Sequence, residues 1–203
     1  EADTEIVVKQ YEEFNSLEVQ NMHRVLIDMI GICPADKYGL VLWSHASSWL
    51  PVGFQTRSFG EEKGMQMDIM ELSDALPVKF DFILFDACLM GAVEVAYELK
   101  DNADYIIASS TETLYTGFPY DMIIPDLMAV SPDLQKVAKK YMDYYQQLMG
   151  VYRSATISVI NTRELEKLAQ ITSSLLAGNS INWGLFKRSI VQRLDNYVLC
   201  VLL

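Results

Sequence analysis

Phe80-Asp-Phe-Ile-Leu-Phe85, followed at once by Asp86-Ala-Cys88, is the stretch from which the rest of the chain is read. It is apolar but for Asp81, rich in aromatic residues and too short for a buried helix, so it predicts a buried strand that stops on a carboxylate and a thiol. Tyr38-Gly-Leu-Val-Leu-Trp43 has the same character and stops at Ser44-His45. Tyr105–Ala108, Thr156–Ile160 and Tyr197–Leu203 read as a third, fourth and fifth strand. Between them, apolar residues recur at three- and four-residue spacing, which predicts helices over Glu5–Phe14, Leu17–Ile30, Asp68–Leu76, Gly91–Leu99, Pro132–Met149, Arg163–Leu176 and Trp183–Leu194. Asn15 or Ser16 would cap the second of these, and Gly31 with Pro34 would end it. Val93, Val95, Ala96 and Leu99 would face inward from the fourth. In the long fifth helix Leu134, Val137, Ala138, Tyr141, Tyr145 and Leu148 form one stripe. Near-continuous apolar strands separated by helices are what a parallel sheet covered on both faces requires, so the fold class is α/β. No internal repeat or linker interrupts the pattern, and polar Pro51–Gly64 reads as an exposed loop.

The chain has 203 residues, of which 51% are hydrophobic and 21% charged, enough to bury one core and far from a disordered composition. It reads as one domain over residues 1–203. Because it opens on Glu1 and closes in the middle of an apolar run, it reads as truncated at both ends. Asp and Glu total 27 against 16 Lys and Arg, a formal charge of −11 with no basic patch, which argues against nucleic-acid binding. Cys33, Cys88 and Cys200 are too few for a disulfide framework, and no CxxC or HxxxH spacing points to zinc. No apolar run approaches the roughly 18–20 residues of a membrane span. Cys200-Val-Leu-Leu203 has the form of a prenylation box, but it lies in an apolar strand rather than a solvated tail.

In an open α/β sheet, ligands bind beyond the carboxyl ends of the strands. Two residues fit for nucleophilic chemistry follow such ends, His45 and Cys88. If their strands are neighbours, about 5 Å apart, both side chains reach one crevice. A free thiol with pKa ~8.5 is mostly protonated at neutral pH, and an adjacent imidazole can take its proton. A helix beginning near Gly91 would favour the thiolate further. Each residue also has a purely structural reading, since a Cys at a strand end is commonly a small buried hydrophobe. His23, among Asn21, Arg24 and Asp28, reads as a surface residue, and Cys33 as a buried loop residue.

The words around the two residues shift that balance. Asp86-Ala-Cys-Leu-Met-Gly91 after an apolar strand resembles the nucleophile motif of the clostripain-like cysteine peptidases, in the clan of caspases and gingipains. Leu40-Val-Leu-Trp-Ser-His45 resembles the strand and catalytic His of that family, and it precedes the Cys as it should. The likeness continues through Asp81, Glu94–Leu99, Ala108-Ser-Ser-Thr-Glu112 and the aromatic Gly117-Phe-Pro-Tyr120. It implies a caspase-like three-layer α/β/α sandwich with a mostly parallel central sheet, and a cysteine endopeptidase working by a Cys-His dyad. Cys88 would be the nucleophile and His45 its base, with the backbone N–H groups of Ala46 and Cys88 as the oxyanion hole. Ala46 stands where the family usually has Gly; were a left-handed conformation needed there, the Cβ would cost about 1 kcal/mol.

The resemblance places Asp86 at the floor of the primary specificity pocket, where a carboxylate selects Arg or Lys by a charge-assisted hydrogen bond. The second acid expected in the following loop is absent; Glu112 is nearby and Thr113 would line the pocket. Related enzymes cut themselves between the His and the Cys after a basic residue, which makes Arg57 and Lys63 the self-cleavage candidates. Peptides or proteins with Arg or Lys at the cut are the expected partners, and the alternative is a non-catalytic relative that binds basic peptides. No cofactor is required, no metal ligands stand out, and calcium is compatible with the resemblance although no EF-hand spacing is present. Family habit points to a bacterial protein, secreted or periplasmic.

Overall fold

The computed structural model describes residues 6–48 and 59–179. In chain order its elements are α1 (Val19–Ile32), β1 (Gly39–Trp43), β2 (Phe59–Glu62), β3 (Met65–Met67), α2 (Ile69–Ala75), β4 (Phe80–Asp86), α3 (Val93–Glu98), β5 (Ala103–Ala108), α4 (Tyr120–Leu127), α5 (Leu134–Gln146), β6 (Ser158–Asn161) and α6 (Leu165–Gly178). Short 3₁₀ turns, Gly150–Tyr152 and Thr162–Glu164, flank β6.

The sheet order is β1-β4-β5-β6. β4 pairs in parallel with β1 on one side and β5 on the other, and β6 closes the far edge antiparallel to β5. The sheet is thus mostly parallel, with β4 at its centre as its apolar sequence requires. Alternate residues of β4 feed different cores. Ile83 and Phe85 pack with residues of α1, α2, α3 and α6, whereas Phe82 and Leu84 pack with residues of α4 and α5. Three layers, α/β/α, result.

Local chemistry sets the element ends. Asp68 caps α2 in a capping box with Glu71, and the Asp133 side chain caps α5 by accepting from the Lys136 amide. Four of the six residues of the α5 stripe, Leu134, Val137, Tyr141 and Tyr145, are buried, and Phe118 stacks on Tyr141 with ring centroids 4.3 Å apart.

Several expectations are corrected. From Ile6 on, the segment expected as a first helix is irregular; Ile6, Val7 and Val8 are exposed and β-branched, and Tyr11 instead donates to Asp28 of α1 at 2.8 Å. Glu18, not Asn15 or Ser16, precedes α1: Asn15 Oδ1 accepts from the Leu17 amide, and Ser16 donates to Glu62. The helix continues through Gly31 and stops before Pro34, leaving Cys33 exposed rather than buried. Val93 is exposed where an inward position was expected, because α3 starts there and only Val95, Ala96 and Leu99 reach the core. The end of the expected Pro51–Gly64 loop is the hairpin β2–β3. Its turn, Lys63-Gly64, has φ of +52° and +79°, a pair of left-handed residues of type I′. α4 was not expected at all, because Pro125 and the preceding Gly and Pro residues suggest a loop. The predicted helix Trp183–Leu194, the strand Tyr197–Leu203, Cys200 and Arg57 lie outside the described residues.

Candidate active site

β1 and β4 run parallel with Trp43 opposite Asp86, and the Ser44 amide donates to the Asp86 carbonyl at 3.4 Å. His45 and Cys88 therefore each stand two residues beyond the same rung, at the carboxyl rim of adjacent strands that lie roughly 4.8 Å apart. The backbone register thus sets the imidazole-bearing and thiol-bearing residues at one rim, as expected if β1 and β4 are neighbours. His45 is exposed; its carbonyl accepts from the Gly60 amide at 2.8 Å, and Ala46 bridges to Phe59, so β2 pins the chain just past β1. The left-handed residue of this crossover is Ser48 (φ +73°), not Ala46, so the Cβ of Ala46 carries no such penalty.

Cys88 is half-buried. The Thr113 amide donates to its Sγ at 3.3 Å, and the thiol in turn faces the Thr113 carbonyl at 3.7 Å. The chain turns sharply after it. Leu89 adopts φ +65°, costly for a bulky L-residue, yet its side chain is buried and its amide donates to the Thr111 carbonyl at 3.0 Å. Two residues on, the Gly91 amide donates to the Ser109 carbonyl at 2.8 Å, and a Cβ there would lie 2.7 Å from backbone atoms of Ser109 and Ser110. The loop receiving these bonds is itself knotted: Ser109 Oγ lies 2.9 Å from Thr156 Oγ1, and Thr113 Oγ1 donates to the Ala87 carbonyl at 3.1 Å. α3 begins five residues after Cys88 and spans six residues, so the helix end expected to assist the thiolate is displaced from it. The Thr113 amide is the donor at the sulfur instead.

Asp86 is only 3% exposed. Its Oδ2 accepts from the Phe118 amide at 3.2 Å and from the Tyr120 hydroxyl at 2.8 Å. Gly117 lies against the carboxylate at φ +58°, where a Cβ would meet Oδ2 at 2.5 Å. Gly117 is fixed from behind by Tyr145, whose hydroxyl donates to the Gly117 carbonyl at 2.9 Å. Burial, then the hydrogen bond and negative charge of Asp86, pushes the Tyr120 phenol well above its ordinary pKa, so it stays a donor. Among the described residues no Lys or Arg forms an ion pair with Asp86.

The structure thus gathers His45, Ala46, Asp86, Cys88 and Thr113 at one rim. Glu112 is exposed on the neighbouring loop, and Lys63 sits in the β2–β3 turn, ion-paired with Glu13. Sequence reasoning missed Tyr120, Tyr145 and the amides of Thr113 and Phe118. Gly117-Phe-Pro-Tyr120 was noticed as a motif, but nothing local links it to a carboxylate more than thirty positions away. A cavity of about 570 Å³ lies at the opposite, amino rim, lined by Lys37, Asp81, Asp104, Tyr105, Leu134 and Arg163 among others. Its charges pair with one another, Arg163 to Asp104 at 2.8 Å and Lys37 to Asp81 at 3.6 Å, and it shares no residue with the His45–Cys88 rim.

Comparison with known proteins bears on the family and the fold. The model of the clostripain family matches residues 1–183. Clostripain of Hathewaya histolytica is 42% identical over 66 residues, 29% of this chain and 12% of that protein. An inactive zymogen of a C11 protease from Parabacteroides distasonis superposes with a TM-score of 0.83 at 36% identity, over 98% of this chain and 56% of that one. A secreted C11 cysteine protease from Bacteroides thetaiotaomicron, solved with an irreversible peptide inhibitor, gives a TM-score of 0.74 at 37% identity, over 82% and 51% of the two chains. The chain spans about half the length of these solved relatives.

Proposed function

The chain belongs to the clostripain family, and from that premise we propose that it is a cysteine endopeptidase working through a Cys88–His45 dyad. The observation that carries the reading is the parallel register Trp43 to Asp86, which sets both residues two positions past one rung. In the proposed step, His45 takes the Cys88 proton and the thiolate attacks the scissile carbonyl. The amides of Ala46 and Cys88 hold the developing oxyanion, and the Thr113 amide steadies the sulfur before attack. His45 returns the proton to the leaving amine, and water then hydrolyses the thioester. Calcium remains an expectation from the family likeness.

Asp86 would select Arg, then Lys, on the amino side of the cut, because a cationic side chain supplies the charge its buried carboxylate lacks. Self-processing at Arg57 or Lys63 fits the same specificity. Lys63 would need the β2–β3 hairpin to open, since its turn is not the extended form a peptide adopts in a cleft. A relative that is a secreted protease supports export, and among the described residues no helix is long and apolar enough to cross a membrane. The substrates would then be peptides or proteins outside the cytoplasm.

Turnover of a short Arg-terminated fluorogenic peptide by the wild type and by Cys88→Ala tests the proposal. Loss of turnover in the variant is expected; equal turnover overturns it. An Arg chloromethyl ketone separates the enzyme, which gains an adduct on Cys88, from a binding relative, which keeps its thiol. N-terminal sequencing of active material tests processing, and a single uncut chain argues against it.

A further inference from the structure

The carboxylate of Asp86 is not equally available at its two oxygens. Oδ2 already accepts two hydrogen bonds, from the Phe118 amide and the Tyr120 hydroxyl, while Gly117 lies against both oxygens, a Cβ there meeting Oδ2 at 2.5 Å and Oδ1 at 3.0 Å. Among the described residues neither of these donors reaches Oδ1, which leaves it as the oxygen to which a substrate cation would bind. An ammonium group needs only one such point, because it is a compact charge with rotatable donors. A guanidinium binds a carboxylate best as a fork, with two parallel N–H bonds to two oxygens. Blocking one oxygen therefore removes the advantage that Arg has over Lys.

We propose that Tyr120 is a specificity-determining positioning residue: by holding Oδ2 of Asp86 it restricts the substrate cation to one oxygen, so that Lys is accepted nearly as well as Arg. This rests on the reading of Asp86 as the selector of basic substrates. The hold is built into the fold rather than into Tyr120 alone. Tyr145, on α5, fixes the Gly117 carbonyl and lies 2.8 Å from Thr116 Oγ1, while Phe118 packs on Tyr141, so the segment carrying both donors is anchored to the α5 stripe.

The test compares kcat/KM for matched peptides ending in Arg or Lys, in the wild type, Tyr120→Phe and Asp86→Asn, with the iodoacetamide alkylation rate of Cys88 as a check on the dyad. The wild type is expected to favour Arg over Lys by less than about tenfold. Tyr120→Phe frees one acceptor position that only the guanidinium can use, and should raise the Arg-to-Lys ratio about five- to tenfold. A wild-type ratio above about a hundredfold overturns the inference, even if Tyr120→Phe fails to fold. So does an unchanged or lower ratio in Tyr120→Phe. Asp86→Asn distinguishes the levels of failure. If it keeps the preference for basic over neutral substrates, the selector reading itself falls. If it loses that preference while Tyr120→Phe leaves the ratio alone, only the role of Tyr120 falls.

Discussion

Gly117 meets the Asp86 carboxylate in a backbone conformation that L-residues rarely adopt, at a distance that leaves no space for a methyl group. Gly117→Ala should therefore be felt twice, as backbone strain of about 1–2 kcal/mol and as displacement of Oδ2. We expect a lower Tm together with a raised KM for an Arg peptide; a lower Tm with unchanged KM would separate the glycine from the pocket. At this scale the sequence was informative where chemistry sits beside its own signal. Asp86 closes a strand, Cys88 and His45 follow one within two residues, and the words around them are local. The conformation of Leu89 and the grip of Tyr120 on Asp86 were invisible, because one is a backbone angle and the other a contact between distant positions.

Among the elements, the β2–β3 turn places Lys63 where Asn or Gly is favoured. Lys63→Asn should stabilise the protein by roughly 0.5–1 kcal/mol, read as a higher Tm, since Asn tolerates the left-handed region better. The same variant removes one self-cleavage candidate, so persistence of a cut in active material would direct attention to Arg57. Helix α4 is tied to α5 by Asp126, which pairs with Lys136 at 2.7 Å and Lys140 at 2.5 Å. The hydrogen bonds from Lys136 and then Lys140 hold the Asp126 carboxyl below its usual range, and the Asp126 bond raises Lys136 above its own. A depressed carboxyl stabilises above the ordinary value of about 4 and loses that contribution as pH falls through the folded value. A raised amine keeps its contribution below about 10.5 and loses it above. Asp126→Asn should thus lower Tm at pH 7, with the gap to wild type closing in acid as the wild-type carboxyl protonates; a gap independent of pH would mean packing rather than charge. Strands and amphipathic helices were legible because their periodicity is set by burial. Glu5–Phe14 and α4 were not, since the first has helical spacing without a surface to bury it against and the second carries Pro125.

For the whole molecule, the parallel order of β1, β4 and β5 was readable from apolar runs separated by helices, whereas the reversed direction of β6 was not, because pairing sense leaves no mark on a four-residue strand. Among the described residues β4 and β5 are paired on both sides and β1 on one. Native-state hydrogen exchange should therefore be slowest for the amides of Ile83–Phe85 and Ile106–Ala108, and faster by at least tenfold for Val41 and Trp43, residues that are 39% and 75% exposed. Equal protection across the three strands would contradict this arrangement.

The position of β1 carries one more consequence. Among the described residues His45 follows the edge strand β1 and Cys88 the central strand β4, so the two members of the proposed dyad belong to regions that loosen at different cost. Mild warming or low denaturant would detach His45 while Cys88 stayed seated, and under the proposed dyad peptide turnover would fade before the melting transition registered in bulk spectra.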